Sequence, residues 1–386
     1  MIQRCLIAGI ADDGGMAKLQ WGILGTGRIA GTFSRGVAAA TTGEVIAVGS
    51  RRQESADRFA QEHGIRRAHG SYEALLADRE VQAVYIAMPH PLHHEWTIRA
   101  VRAGKHVLCE KPLAMNRREA AEMVAEARAG GVLLMEAFMY RCHPQTAKVV
   151  ELVKNGALGR IRLIRADFCF RNRFNPNSRL WNKALGGGGV LDVGGYPVSF
   201  ARLVAGAVQG APFADPVGVT GVGGLHPVSG VDVLAEATLR FADGLEARVA
   251  CGIGSRKDTE TNPVRRMGCA ILGRVARIFR TRAGNTARIE GSGGWLQLPE
   301  PWSPTPEGGT ATMVLRRAGA SPEEIRITAA PLYALEADAF AAALATGALE
   351  VPQMTLADSL GNMATLDRWR QAIGLSYEAD RAGADS

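Results

Sequence analysis

A chain of 386 residues that is 47% hydrophobic and 22% charged has room for two domains of ordinary size and is too apolar to be disordered. No apolar run reaches the roughly 20 residues that a helical membrane crossing needs, so no membrane partner is expected. The net charge of +7 is scattered instead of forming a basic block interleaved with aromatics, so neither is nucleic acid.

Residues 1–18 read as an N-terminal extension, because Met16 and Lys18 stand directly before the first convincing strand. Their apolar patch at residues 5–10 is too short for a secretory signal. The six cysteines (Cys5, Cys109, Cys142, Cys169, Cys251, Cys269) contain no C-x-x-C pair and read as buried thiols of a reducing, cytoplasmic compartment.

Residues 19–24 form a buried strand that runs into Gly25-Thr26-Gly27-Arg28-Ile29-Ala30 and a small-residue helix to about residue 39. This is G-x-G-x-x-A between a strand and a helix. Gly25 permits the tight turn, Gly27 lets backbone approach a pyrophosphate, and Ala30 allows helix and sheet to pack closely. The phosphates then face the amides at the helix start. Gly25, Thr26, Gly27, Arg28 and Ile29 are therefore cofactor-binding candidates. The second strand, 44–49, ends in Ser50-Arg51-Arg52, where an NAD enzyme would place an acid for the ribose hydroxyls. A guanidinium there can hold a 2′-phosphate, which favours NADP over NAD.

The alternation continues with a helix marked by Ala56, Phe59, Ala60 and His63 and ended by Gly64, a short helix begun by Ser71, and a strand at 83–87. Its exit loop is Met88-Pro89-His90-Pro91-Leu92-His93-His94. Three histidines invite a metal, but no Cys or carboxylate stands at ligand spacing, and the loop lies on the cofactor edge of the sheet. No metal is expected, and Pro89, His90 and His93 are placed with the cofactor. The apolar run 106–109 ends at Glu110-Lys111-Pro112. Pro112 holds Lys111 extended, and an ammonium leaving such a strand points to where cofactor and substrate meet. Only seven of the 45 basic residues are lysines, so this placement carries weight. Asn116 and Glu119 form a capping box for a helix that buries Ala120, Met123, Val124 and Ala127.

The glycine loop, Pro89-His90-Pro91-Leu92-His93, Glu110-Lys111-Pro112 and Glu136-Ala137-Phe138-Met139-Tyr140-Arg141 stand in order. With them the chain from about residue 19 to about 205 resembles the Gfo/Idh/MocA oxidoreductases, in the branch of glucose–fructose oxidoreductase, NADP-dependent D-xylose dehydrogenase and dimeric dihydrodiol dehydrogenase. The resemblance implies an α/β Rossmann domain at 19–138. It implies an α+β domain at 139–375 whose mostly antiparallel open sheet covers the nicotinamide and forms an oligomer interface. It also implies that Lys111 is catalytic, and it places Glu110 and Trp181 with the cofactor. An Asp-x-Gly-x-Tyr motif is matched at Asp192, Gly194 and Tyr196. A phenol near an ammonium has its phenolate favoured, so Tyr196 is expected to have a lowered pKa and to move the proton. Asp192, four residues back on a helix, would share its face and bind a second substrate hydroxyl.

Beyond Glu136 the strict alternation ends. A helix is expected at 144–155, a strand at 160–170, and strands at 217–223, 231–241 and 245–252, the last two joined by an Asp243-Gly244 hairpin. Shorter strands are expected near 268–280, 285–290 and 311–316. Residues 291–309 read as a surface loop or hairpin tip. Helices at 332–344 and 356–373 follow, the second returning to the Rossmann domain, and 376–386 form a mobile tail. Alternating Val231, Val233, Ala235 and Ala237, with too few helices to cover both sheet faces, predict an uncovered apolar face and hence a homodimer or homotetramer. The expected function is hydride transfer between NADP(H) and a sugar or sugar-like cyclic polyol. The alternatives are a glycoside-processing enzyme that holds NAD(P) tightly and oxidises transiently, and a non-catalytic NADP sensor.

Overall fold

The computed structural model describes residues 17–255, 258–259 and 284–381. Its first half alternates short apolar strands with helices. These are β1 (Leu19–Leu24), α1 (Arg28–Ala39), β2 (Gly43–Gly49), α2 (Gln53–His63), β3 (Arg67–His69), α3 (Tyr72–Leu76), β4 (Ala83–Ile86), α4 (His93–Arg102), β5 (His106–Glu110), α5 (Arg117–Gly130) and β6 (Leu134–Ala137). The six strands pair in parallel in the order β3-β2-β1-β4-β5-β6. Helices on both faces bury them, which is why β4 and the second half of β2 read as continuous apolar runs. The strand order reverses between β1 and β4, and a crevice opens there at the carboxyl ends.

The second half contains α6 (Pro144–Lys154), β7 (Ile161–Cys169), α7 (Gly195–Gln209), β8 (Gly218–Leu225), β9 (Asp232–Arg240), β10 (Glu246–Gly252), β11 (Thr286–Gly291), β12 (Gly294–Leu298), β13 (Gly309–Arg317), β14 (Glu323–Ala329), α8 (Leu332–Ala345) and α9 (Leu356–Ala372). Its eight strands form one sheet, ordered β14-β13-β12-β11-β7-β10-β9-β8. Every pairing is antiparallel except β10 with β7. The fold is thus an α/β Rossmann domain followed by an α+β domain with a mostly antiparallel open sheet.

Several local expectations need correction. Residues 291–309 are not a plain loop: they hold β12, and the Trp302 that follows is only 1% exposed. Strand β14 escaped notice because Glu323-Glu324-Ile325-Arg326 carries the charges of an exposed edge and little apolar alternation. Asn116 accepts from Glu119 N–H at 3.0 Å, but the Glu119 carboxylate accepts from Met115 N–H at 3.1 Å, so the reciprocal half of the capping box is not formed. The tail is tied down at its start, where Tyr377 is buried and donates to Gly187 O, and Asp380 pairs with Arg370 at 2.8 Å. The strand expected near 268–280 and the extension at 1–16 lie outside the described residues.

Two helices bind the halves together. The return of α9 was expected, and there Asp367 accepts from Arg117 N–H at 2.8 Å. Helix α8 also crosses back, onto α1, at a contact so close that a Cβ on Gly36 would stand 2.3 Å from Tyr333 Cβ.

The apolar face of the large sheet is covered by its own helices. Val231, Val233, Ala235 and Ala237 are all buried within the chain, contrary to the expectation of an uncovered apolar face. The opposite face is charged: the register sets Arg165 between Arg248 and Arg288, and the next row sets Leu163 between Glu246 and Glu290.

Candidate active site

The cofactor loop is shaped by two glycines. Gly25 has φ +112°, and a Cβ there would stand 2.7 Å from Ala87 O on the neighbouring strand exit, so only glycine fits. Gly27 has nothing within 4 Å of its Cβ position and caps α1 without a side-chain hydrogen bond, which leaves open space facing free helix amides. A dinucleotide pyrophosphate fits that arrangement. Thr26 and Ile29 are half-buried beside it, and Arg28 is exposed. At the end of β2, Ser50 is buried with its N–H on His69 O, while Arg51 and Arg52 are exposed.

Lys111 leaves β5 through a cis bond to Pro112, and its ammonium donates to the backbone carbonyl of Asp192 at 2.8 Å. That carbonyl lies in a π-helical turn, Val190–Gly194, that leads into α7. In the π register its partner is residue 197, a proline with no N–H to offer, so the oxygen is left for the lysine. The same ammonium stands 5.2 Å from the centre of the Tyr196 ring.

The Asp192 side chain turns to Arg179, whose Nη2 donates to Oδ1 at 2.6 Å. Nη1 of that guanidinium lies 3.1 Å from His90 Nε2, and His90 Nδ1 lies 3.1 Å from Gly186 O. An arginine only donates and a carbonyl only accepts, so the His90 proton sits on Nδ1. Burial, reinforced by Arg179, pushes its pKa well below the usual imidazole range. His90 therefore presents no titrating proton to the cleft. His93 lies between Pro112 O at 2.8 Å and Met88 O at 2.9 Å, and burial pushes it down to about 4. His94 pairs with Glu122 at 2.8 Å. Pro89 begins the turn that carries His90.

Tyr196 is 3% exposed, and its hydroxyl donates to Met139 Sδ at 3.4 Å. The ammonium lies over the ring face and not at the oxygen. Burial, followed by Tyr333 and Glu110, raises the phenol well above its ordinary value. The expected lowering is thus reversed, because desolvation of the phenolate outweighs a charge placed over the ring.

Two matches cover most of the chain: residues 19–138 fit the model of an oxidoreductase family with an NAD-binding Rossmann fold, and 146–297 fit the C-terminal domain of the GFO/IDH/MocA proteins. The mouse trans-1,2-dihydrobenzene-1,2-diol dehydrogenase is 32% identical over 371 residues, which span 94% of this chain and 99% of that enzyme. The chain belongs to the Gfo/Idh/MocA oxidoreductase family. An oxidoreductase of Rhizobium meliloti is 34% identical over 358 residues, 91% of this chain and 96% of its own. Among solved structures, the 3-ketoreductase KijD10 of Actinomadura kijaniata, in complex with NADP and TDP-benzene, superposes with a TM-score of 0.77 at 30% identity. That match covers 92% of this chain and 98% of KijD10. This member of the family is accordingly an NAD(P)-dependent oxidoreductase.

Lys111, Glu110, His90, Asp192 and Tyr196 come together at one end of the Rossmann sheet. Trp181 does not join them: it is 1% exposed in a separate cluster with Val231, Val233, Leu234 and Ile253, its ring against Phe174 and His226. Arg179 was missed, although it begins the segment before the glycine run, because a lone arginine in a loop has no readable partner.

Glu336 was missed as well. It is one of two acids in the alanine-rich α8, it is 0% exposed, and neither carboxylate oxygen has a hydrogen-bond partner among the described residues. Burial and then Glu110 raise its pKa well above the carboxylate range. Glu110 is itself raised by burial while accepting from the Tyr85 hydroxyl and from Lys111 N–H. A group whose folded pKa is raised contributes stability that is full below the ordinary carboxyl value and is lost as pH climbs toward the folded one. Glu336→Met should therefore raise stability by about 1–3 kcal/mol, and chemical denaturation should show a larger gain at pH 8 than at pH 5. A gain that shrinks with rising pH would mean that the carboxyl has a partner.

Proposed function

We propose that this oxidoreductase is NADP(H)-dependent and transfers a hydride between the nicotinamide and a hydroxyl or carbonyl carbon of a sugar or sugar-like cyclic polyol, with Lys111 and Tyr196 as the catalytic pair. The observation that carries this reading is the Lys111 ammonium, fixed on Asp192 O at 2.8 Å and set over the Tyr196 ring, 5.2 Å from its centre. The names of the relatives support the substrate class: a dihydrobenzenediol is a cyclic vicinal diol, and KijD10 is a 3-ketoreductase that binds NADP.

Gly25 to Ile29, with Ser50, Arg51 and Arg52, would hold the cofactor, which supplies or accepts the hydride when bound. Lys111 has three N–H donors, and Asp192 O takes one, leaving two to polarise a substrate oxygen. Tyr196 is neutral at ordinary pH, and its sulfur partner is a weak acceptor, so the hydroxyl exchanges that bond for a substrate oxygen at little cost. In reduction it donates the proton, and the ammonium beside it steadies the phenolate left behind. In oxidation the phenolate form of the same residue takes the substrate proton, so that direction first requires loss of the phenol proton to solvent. Asp192, oriented by Arg179, would accept from a neighbouring hydroxyl of the substrate. The absence of an acid after β2 and the two exposed arginines there favour NADP. A homodimer or homotetramer through the charged face of the large sheet belongs to the same reading, supported by alternating arginine and glutamate rows that suit a second copy. So does a cytoplasmic setting, supported by the free thiols of Cys109, Cys142, Cys169 and Cys251.

A screen of aldoses, inositols and dihydrodiols with both cofactors identifies the substrate. With it, Lys111→Met and Tyr196→Phe should each cut kcat on the order of 10²–10⁴-fold while NADPH affinity changes little. Because the two groups act as a unit, the double variant should be scarcely worse than Lys111→Met alone. Reductive kcat should hold a plateau up to at least the free tyrosine pKa of about 10. Near wild-type turnover in Tyr196→Phe would remove the phenol from the chemistry.

Arg51→Ala should raise the NADP Michaelis constant at least roughly tenfold, through loss of charge-assisted bonds to the 2′-phosphate, with NAD kinetics unchanged. Equal losses with both cofactors would make Arg51 structural. Light scattering should give a mass of two or four chains at micromolar concentration, and a monomer mass would rule out the assembly.

A further inference from the structure

The connection between β12 and β13 is rich in proline, yet the indole of Trp302 turns inward from it and is 1% exposed. Its Nε1–H donates to Asp167 O on β7 at 2.8 Å. The ring stacks on Phe168 (6.1 Å, 10°), meets Tyr140 edge-on (5.7 Å, 90°) and stands 6.0 Å from Tyr196. The connection is fastened at two further points, both to the segment after β6. His143 Nδ1 accepts from Gln145 N–H at 3.0 Å, so its Nε2–H is the donor to Thr305 Oγ1 at 3.1 Å. Gln145 Nε2 donates to Glu300 O at 3.3 Å. Thr305 holds φ at +45°, an uncommon conformation for a β-branched residue, and one that its surroundings must enforce.

The same segment after β6 supplies Phe138, edge-on to Tyr196 at 5.1 Å, and Met139, whose sulfur is the hydroxyl's partner. Phe168 closes a further side at 5.2 Å. A phenol that bonds only to a sulfur is not located by hydrogen bonding, so packing must locate it. Of the four rings around Tyr196, Phe168 comes from β7 and Phe138 and Tyr140 (5.8 Å) from the segment directly after β6. The fourth, Trp302, is delivered by a connection that is anchored at Asp167, His143 and Gln145.

We propose that Trp302 is a positioning residue for Tyr196: the β12–β13 connection exists to press an indole into the aromatic cage that fixes the phenol ring beside the Lys111 ammonium. This rests on Tyr196 being the proton donor proposed above. A tryptophan that merely fills the core would lower stability when removed and would leave the chemistry of the remaining folded molecules alone. A positioning tryptophan acts through the Tyr196 oxygen and through nothing else.

The test is a double-mutant cycle on the full chain, with NADPH and the sugar or diol that the wild type turns over fastest. Trp302→Leu should lower kcat on the order of 10²-fold, the usual cost of a misplaced reacting group. The substrate KM and the NADPH Kd, followed by nicotinamide fluorescence, should stay within about threefold, since an indole 1% exposed presents almost no surface to either. Trp302→Phe, which keeps a ring but loses the bond to Asp167 O, should fall in between; it also serves as the cycle's second arm should the leucine variant fail to unfold cooperatively. In a Tyr196→Phe background, where no hydroxyl remains to be misplaced, either change should cost less than about twofold in kcat. A severe Tyr196→Phe loss on which the Trp302 losses multiply independently would overturn the positioning role alone. A Tyr196→Phe enzyme with near wild-type kcat would overturn both this role and the catalytic reading beneath it.

Discussion

The hydrogen bond from Lys111 Nζ to the carbonyl of Asp192 is the contact on which the site depends, because it crosses between the two halves of the chain. The lysine comes from a parallel strand end and the carbonyl from a π-helical turn eighty-one residues later. Pro197 leaves that carbonyl available by having no N–H of its own. Once the ammonium is held there, the face of Tyr196 lies beneath it, and Asp192 is free to turn its carboxylate to Arg179. One bond therefore sets the relative placement of a charge, a phenol and a carboxylate.

Burial then decides the protonation states. Tyr85, Tyr196 and Tyr333 are all raised well above the usual tyrosine range, with Glu110 and Glu336 among the causes, and the two carboxyls are raised themselves. Two acids in one dry region oppose each other's ionisation, and each opposes a phenolate. The result is a set of neutral phenols around the Lys111 ammonium. Such a set suits delivery of a proton to an oxygen that gains negative charge as its carbon takes hydride. The imidazoles nearby are held neutral and committed to carbonyls or to Arg179, so they serve the shape of the site.

The large sheet supports this arrangement from one side only. Helices α7 and α9 take its apolar face, which explains why alternating strand residues that look available in sequence are buried at home. The face left over is built of arginine and glutamate rows, a surface that water tolerates and that a complementary surface could match. Helices α8 and α9 both cross back to the Rossmann domain, through Asp338 on the Thr41 and Thr42 amides and through Asp367 on the Arg117 amide. The two domains are thereby fastened together at two separate points.

The sequence by itself determined strands β1, β2, β4 and β5 of the Rossmann half, though not the short β3 and β6, together with Gly25, Gly27 and Lys111 at their strand ends. Those features rest on local causes: apolar runs, a positive φ that only glycine tolerates, and a proline after the lysine. It also located Asp192 and Tyr196 through their motif, and the strands β8 to β10 through alternation. Tertiary structure alone decided the rest. Whether a lysine lowers a neighbouring phenol's pKa depends on whether the charge faces the oxygen or the ring, and on how much water remains, and neither is written in a motif. Arg179 acquires its role only when His90 and Asp192, far apart in the chain, are brought to its two ends. Trp302 sits in a stretch whose composition says turn, and it is buried because β7 offers it a carbonyl and Phe168, the segment after β6 offers Tyr140, and α7 offers Tyr196 and Phe200. Trp181, placed with the cofactor by resemblance, goes instead into a side cluster of valines and isoleucine. Each of these outcomes is set by partners distant in sequence, and desolvation and packing act on the assembled neighbourhood.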